Sequence, residues 1–253
     1  MSDNVNALLT CVGRKSYLVG MFERSERLGT LVAVDSDAAA TVQYHAPHFR
    51  AVPAVIDDAD AYVAALLELC EEFDIDCILP QNDLDLVQLA DARGRFRDAG
   101  VEVAGAPAEV ARSVRDKLEM AKWMDEQGLP YPDTWLPSQV PPETFNFIVK
   151  SRSGQGGAGF TPSPTRQSLG DLDEDAYVAQ QKITGVEYNL DILRSRGGEV
   201  VSVVPKRKIE MRWGATHKAE SVEAPELVEL GVEVGRATGH VGSIDVDVMV
   251  SEK

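Results

Sequence analysis

The stretch FIVKSRSGQGGAGF, residues 147–160, decides the reading of this chain. Phe147, Ile148 and Val149 make a short apolar run rich in branched side chains, which predicts a strand. Lys150 follows, and then a polar loop with Gly154, Gly156, Gly157 and Gly159. Glycines at that density lower the cost of positive φ and strip side chains away. Bare N–H groups can then close around an anion, and phosphate is the usual one. A lysine at the strand's end adds a point charge beside those donors. The order is not that of a P-loop, G-x-x-x-x-G-K-[ST], because here the lysine precedes the glycines. Nor can residues 160–164 open a helix cleanly, since Pro164 biases Ser163 away from the helical region. The lysine and loop read as a lid over phosphates; a hairpin tip is the plain alternative.

Around that stretch the chain alternates strands and helices. NALLTCV (residues 6–12) predicts a first strand, 17–28 a helix, and TLVAV (30–34) a second strand ending at Asp35. Residues 60–73 carry a helical apolar face, and CILP (77–80) is a further strand. Asp83 is placed to cap a helix over 84–99, and 101–104 is a short strand. This alternation predicts a small doubly wound domain, with ligands at the carboxyl ends of its strands near residues 13–16 and 81–83. Asp35 stands where a dinucleotide fold keeps its ribose acid, but the first turn, CVGRKS, has one glycine and not three. His45 and His48 read as loop histidines. A helix is expected over 107–128, with Asp116-Lys117 inside it. Strands are expected at 177–181, 188–193 and 200–205, with Gly185-Val186-Glu187 as a turn. A helix over 225–239 follows. In GSIDVDVMV (242–250) alternation puts Asp245 and Asp247 on one face.

With 25 Lys and Arg against 41 Asp and Glu, the 253-residue chain has a formal charge of −16. That argues against nucleic acid and anionic membrane surfaces as partners. No window suits a membrane span or a signal peptide, and three scattered cysteines fit a reducing cytoplasm.

The ordered set is a βα domain, Asp116-Lys117, GLPYP (128–132), Val149-Lys150 with its glycine loop, QQKITGVE (180–187) and an acidic last strand. That set resembles the ATP-grasp superfamily, and most of all the short proteins related to the large subunit of carbamoyl phosphate synthetase. The resemblance covers nearly the whole chain. It implies an α/β and α+β fold: a Rossmann-like pre-ATP-grasp domain over residues 1–112, then an ATP-grasp domain of two α+β subdomains, a lid over 113–180 and a larger part over 181–253. It implies an ATP-dependent carboxylate–amine or carboxylate–thiol ligase working through an acyl phosphate, with ATP and Mg²⁺ as cofactors.

Position by position, the resemblance assigns Lys117 and Lys150 to the nucleotide phosphates and Gly154, Gly156, Gly157 and Gly159 to the phosphate loop. It assigns the backbone of Gln181, Lys182 and Ile183 to adenine, although the family usually has Glu at 181. Glu187 falls to the ribose hydroxyls, Asp247 to the first magnesium ligand, and Lys208 and Lys218 to catalysis near the γ-phosphate and acceptor. The remaining magnesium ligands belong to a return strand, E-x-N-P-R, that these 253 residues do not contain. The chain is therefore expected to be truncated at its C-terminal end, with weak turnover by itself. A small carboxylic acid and an amine are the expected substrates, and a homodimer is the expected assembly. A nucleotide-binding module without turnover and an NAD-type oxidoreductase are the alternatives.

Overall fold

The computed structural model describes residues 4–154, 164–212 and 215–251. The chain divides into two compact units, residues 1–111 and 112–253.

The first unit is built on a parallel sheet. Its elements are β1 (Val5–Thr10), α1 (Tyr17–Phe22), β2 (Leu28–Asp35), β3 (His48–Ala51), α2 (Ala59–Glu72), β4 (Cys77–Pro80), α3 (Leu86–Asp91), α4 (Arg93–Asp98) and β5 (Glu102–Val103). The strand order is β3-β2-β1-β4-β5, with every pair parallel. Parallel sheets need cover on both faces, which is why β1 and β2 read as continuous apolar runs. Leu8, Val32, Val34 and Ile78 pack with Tyr62, Leu66 and Phe96 on one face. Ala7, Leu9, Leu31 and Ala33 pack with Val19 and Val42 on the other.

Two expectations change here. Helix α1 stops at Phe22 and not at 28, because residues 23–27 offer nothing to bury and Leu28 is already paired with Val5. The helix expected over 84–99 is two helices with a break at Ala92, and its cap position falls to Asp85, not Asp83. Asp85 does not cap: it is fully buried, and its Oδ2 accepts from the Tyr62 hydroxyl at 2.6 Å.

Helix α5 (Ala108–Arg115) precedes α6 (Lys117–Glu126). The expected continuous helix over 107–128 breaks at Asp116, whose φ of −109° and ψ of 117° are extended. Its carboxylate caps α6 by accepting from the N–H groups of Leu118 and Glu119.

A three-stranded antiparallel sheet follows, from β6 (Thr134–Trp135), β7 (Phe147–Ser151) and β8 (Tyr177–Gln181) in the order β6-β8-β7, with the short α7 (Arg166–Leu169) beside it. Phe147, Val149 and Ala179 pack with Val140 and Leu169. The last sheet runs β11-β10-β9-β12, from β9 (Gly185–Arg194), β10 (Val200–Arg212), β11 (Ala215–Ser221) and β12 (Gly242–Ser251), all antiparallel. Leu190, Ile192 and Val203 pack with Leu227 and Val234 of α8 (Pro225–Thr238). Gly231 and Gly235 let α8 lie close: a Cβ on Gly231 would stand 2.5 Å from Val203 Cγ1.

Residues 185–187, expected as a turn, are the start of β9, paired with Val250, Ser251 and Met249 of β12. A Cβ on Gly185 would fall 1.9 Å from the Val250 carbonyl oxygen, so the glycine permits pairing here and makes no bend. Strand β10 also runs on to Arg212, well past Pro205.

Candidate functional site

The site lies within the second unit. Strand β7 carries Lys150 on the face opposite its Phe147–Val149 core, as alternation requires. The first turn of α6 is stitched to the end of that strand. Lys117 N–H donates to the Arg152 carbonyl at 2.9 Å, Asp116 bridges to Ser153, and Arg152 Nε donates to Asp116 Oδ2 at 2.7 Å. Lys117 Nζ reaches the Gly154 carbonyl at 3.3 Å. Two lysines from distant parts of the chain thus share one neighbourhood. Burial pushes the Lys117 pKa down against the pull of Asp116. Burial and then the charge of Lys117 push Lys150 down, opposed by Glu187 and Asp247. Gly156, Gly157 and Gly159 lie outside the described residues.

The second half of the site is the charged face of the β9–β12 sheet. Alternation sends Tyr188, Leu190 and Ile192 into the core and leaves Glu187, Asn189 and Asp191 on the other face. Lys208 bridges this face: its ammonium is 2.7 Å from Glu187 Oε1 and 2.6 Å from Asp247 Oδ1, with the side chain only 5% exposed. Burial works against the Lys208 charge, yet the bonds and charges of Asp247 and Glu187 outweigh it and the net direction is up. Asn189 Nδ2 donates to both Asp245 and Asp247, and Lys206 pairs with Asp191 at 2.7 Å.

Lys218 is not brought to this group. It pairs with Glu210 across β10 and β11 at 2.9 Å and is 60% exposed. The segment Gln181–Ile183 joins the two sheets, and Asn146 pinches it: Lys182 N–H donates to the Asn146 carbonyl and Asn146 Nδ2 donates to the Lys182 carbonyl, both at 3.0 Å. Three side chains that the sequence did not single out join the site: Asn189, Gln180 and Thr134. Only Asn189 had a signal, its place two residues after Glu187 on a strand.

For a divalent cation the donor set is all oxygen. Asp247 is 67% exposed, and Asp245 stands on the same face. No three acidic, histidine or cysteine side chains converge on a metal position among the described residues. No helix among the described residues is long and apolar enough to cross a membrane.

Comparison with known proteins agrees with this fold. A PylC-like N-terminal domain family matches residues 7–104, and an ATP-grasp domain family matches 114–253. A search of curated proteins found no match. Among solved structures, the ADP complex of PurK, N5-carboxyaminoimidazole ribonucleotide synthetase, is similar with a TM-score of 0.76 at 11% identity, over 99% of this chain and 67% of that one. The L-amino acid ligase from Bacillus licheniformis is similar with a TM-score of 0.70 at 18% identity, over 98% of this chain and 64% of that one. The biotin carboxylase domain of Hydrogenobacter thermophilus 2-oxoglutarate carboxylase, solved with MgADP, gives 0.71 at 14%, over 98% and 61%. At these identities the likeness is one of fold, and this chain spans about two thirds or less of those chains. ATP-grasp enzymes generally use ATP and Mg²⁺. With the ATP-grasp match running over more than half of its length, this chain belongs to the ATP-grasp family.

Proposed function

We propose that this chain is the nucleotide-binding part of an ATP-dependent carboxylate–amine, or carboxylate–thiol, ligase. The observation that carries this reading is the meeting of Lys117 and Lys150 opposite a carboxylate-lined sheet face. Phosphoryl transfer needs charge neutralisation and in-line positioning more than covalent help. Lys117 and Lys150 would hold the phosphates, the backbone of Gln181–Ile183 the adenine, and Glu187 the ribose hydroxyls. Gly154 marks the near end of the phosphate loop. Asp247, with Asp245 beside it, would hold Mg²⁺, whose charge offsets that of the phosphate oxygens.

In the reaction a carboxylate oxygen attacks the γ-phosphorus, ADP leaves, and an acyl phosphate forms. The amine or thiol then attacks the acyl carbon, inorganic phosphate leaves, and the nucleophile's proton goes to solvent or a base. Lys208 lies at the nucleotide end of this arrangement, held by Glu187 and Asp247, so it acts first as their counter-ion. Lys218, held by Glu210, would reach the acceptor only after leaving that partner. The small acid and the amine are the substrates of the proposed reaction.

The test is thermal unfolding with and without MgATP, followed by ADP release across a panel of carboxylic acids with an amine. A ligand at 100 times its dissociation constant adds about 2.7 kcal/mol, a rise of roughly 5–10 °C for this size. Stabilisation by MgATP with acid-dependent ADP release supports the ligase. Stabilisation with no release for any acid supports a binding module, and no stabilisation overturns the nucleotide site.

A further inference from the structure

The open face of the four-stranded sheet changes character along its length. Pairing sets its side chains in rows across β12, β9 and β10. The row of Asn189 holds Asp247 and Lys206, and the next, two residues on, holds Asp245, Asp191 and Val204. The last row holds Ser243, Leu193 and Ser202. In the first two rows the polar groups are paired among themselves: Asn189 bonds both aspartates, and Lys206 Nζ stands 2.7 Å from Asp191. Leu193 and Val204 are different. Both are apolar, both lie outside the core under α8, and they are 46% and 38% exposed.

Single exposed apolar side chains are ordinary on a protein surface. These two are set apart by their place. They are diagonal neighbours, within reach of each other. The serines on either side of Leu193 are too short to cover it. They also share the face that carries Glu187 and Asp247, and they stand at its far end. The positions proposed for the nucleotide give that face a direction. Glu187, for the ribose, is level with Met249, and Asp247, for Mg²⁺, is one row further on. The line from ribose to metal therefore points along β9 toward Asp191 and Leu193. At about 3.4 Å per residue, the row of Val204 lies about 7 Å beyond that of Asp247, and the row of Leu193 about 14 Å.

We propose that Leu193 and Val204 form the patch that selects the acid substrate, and that this acid carries an apolar chain behind its carboxylate. This rests on the reading of Glu187 and Asp247 given above. The carboxylate that attacks the γ-phosphorus has to lie near the metal, so the rest of the acid runs onward over the next rows. The charges of Asp191 and Lys206 offset each other there, and the apolar pair beyond them offers area to bury. A second charge at the tail of the acid would lose its water against Leu193 and gain no partner from it.

The experiment measures calorimetric dissociation constants for acetate, butanoate, hexanoate and hexanedioate. Mg²⁺ and the β,γ-methylene analogue of ATP, which cannot transfer its phosphoryl group, are present throughout. The chains compared are the wild type, Leu193→Ser, Val204→Thr and the double variant, each with its unfolding midpoint. Each methylene buried on the patch should tighten binding by roughly three- to fourfold, so hexanoate should bind the wild type about tenfold better than butanoate. Hexanedioate should bind at least about tenfold more weakly than hexanoate. Leu193→Ser should remove most of the gain from butanoate to hexanoate, and Val204→Thr a part of it. Acetate, the nucleotide analogue and the unfolding midpoint should be unaffected in all variants. A wild type that binds the analogue but holds hexanoate no better than acetate would overturn the proposal and leave the nucleotide site standing. A gain with chain length that survives in the double variant would overturn it too, since the tail then lies elsewhere. A wild type that does not bind the analogue would overturn both the nucleotide site and the patch that rests on it.

Discussion

The two sheets of the second unit each hold a partly buried lysine, and they treat it in opposite ways. On the four-stranded sheet, Lys208 is pinned between Glu187 and Asp247, and its charge is spent locally. On the three-stranded sheet, Lys150 rests on the amide of Gln180, and burial with Lys117 nearby pushes its pKa down. The first lysine holds structure together. The second is held by a neutral side chain and is the costlier of the two to keep charged. Burying a cation destabilises a fold unless it is paired, so the proposed phosphate role of Lys150 would supply the charge that its neutral partner does not.

The largest test of that contrast is Lys150→Met. It should abolish the rise in unfolding midpoint with MgATP while leaving the ligand-free midpoint equal to or above that of the wild type, measured by calorimetry. If Lys150→Met instead lowers the ligand-free midpoint by several degrees, the lysine is structural and the contrast fails. Gly185→Ala acts on the other sheet alone. Its Cβ would meet the Val250 carbonyl and displace β12 from β9, with an expected loss of about 1–3 kcal/mol in urea unfolding.

Lys208→Met should lower ligand-free stability by about 1–2 kcal/mol, the reverse of Lys150→Met. That is below the roughly 3–5 kcal/mol of a fully buried pair, because Glu187 and Asp247 stay partly in water and can be solvated again. The smallest effect concerns the first unit, where Asp85 is buried with no cation paired to it among the described residues. Burial, foremost, raises its pKa, against the hydrogen bond from the Tyr62 hydroxyl. The native state therefore keeps the proton that the unfolded chain releases near pH 4. Stability that is complete below that value is lost as pH climbs toward the native pKa. Asp85→Asn should abolish that loss and be more stable than the wild type at pH 7 to 8, with a smaller gain at pH 5. A constant difference across pH would show that the acid is charged in the fold.

Local patterns carried much of the fold into view. The alternation in GSIDVDVMV put Asp245 and Asp247 on one face, and the structure has them there, joined by Asn189. The apolar run of residues 147–149 is the core side of β7. What local pattern could not carry was pairing between distant segments. Residues 185–187 look like a turn because glycine and valine before an acid suit one. They are strand because Val250 and Ser251, more than sixty residues on, need a partner without a side chain at 185. Asp116 looks like a helical residue, yet Arg152 and Ser153 pull it out of the helix. The site divides the same way. The lysines announce themselves by their charge, but Gln180 and Thr134 are ordinary strand residues until the sheet sets them beside Lys150.

Strand β9 is hydrogen-bonded along both edges, to β10 on one side and β12 on the other, and it carries Glu187, Asn189 and Asp191. Amides so enclosed exchange with solvent only when a large part of the unit opens. Glu187 and Asp191 therefore stand on the backbone of the unit that opens last, and on the scale of hydrogen exchange their spacing lasts as long as the sheet itself.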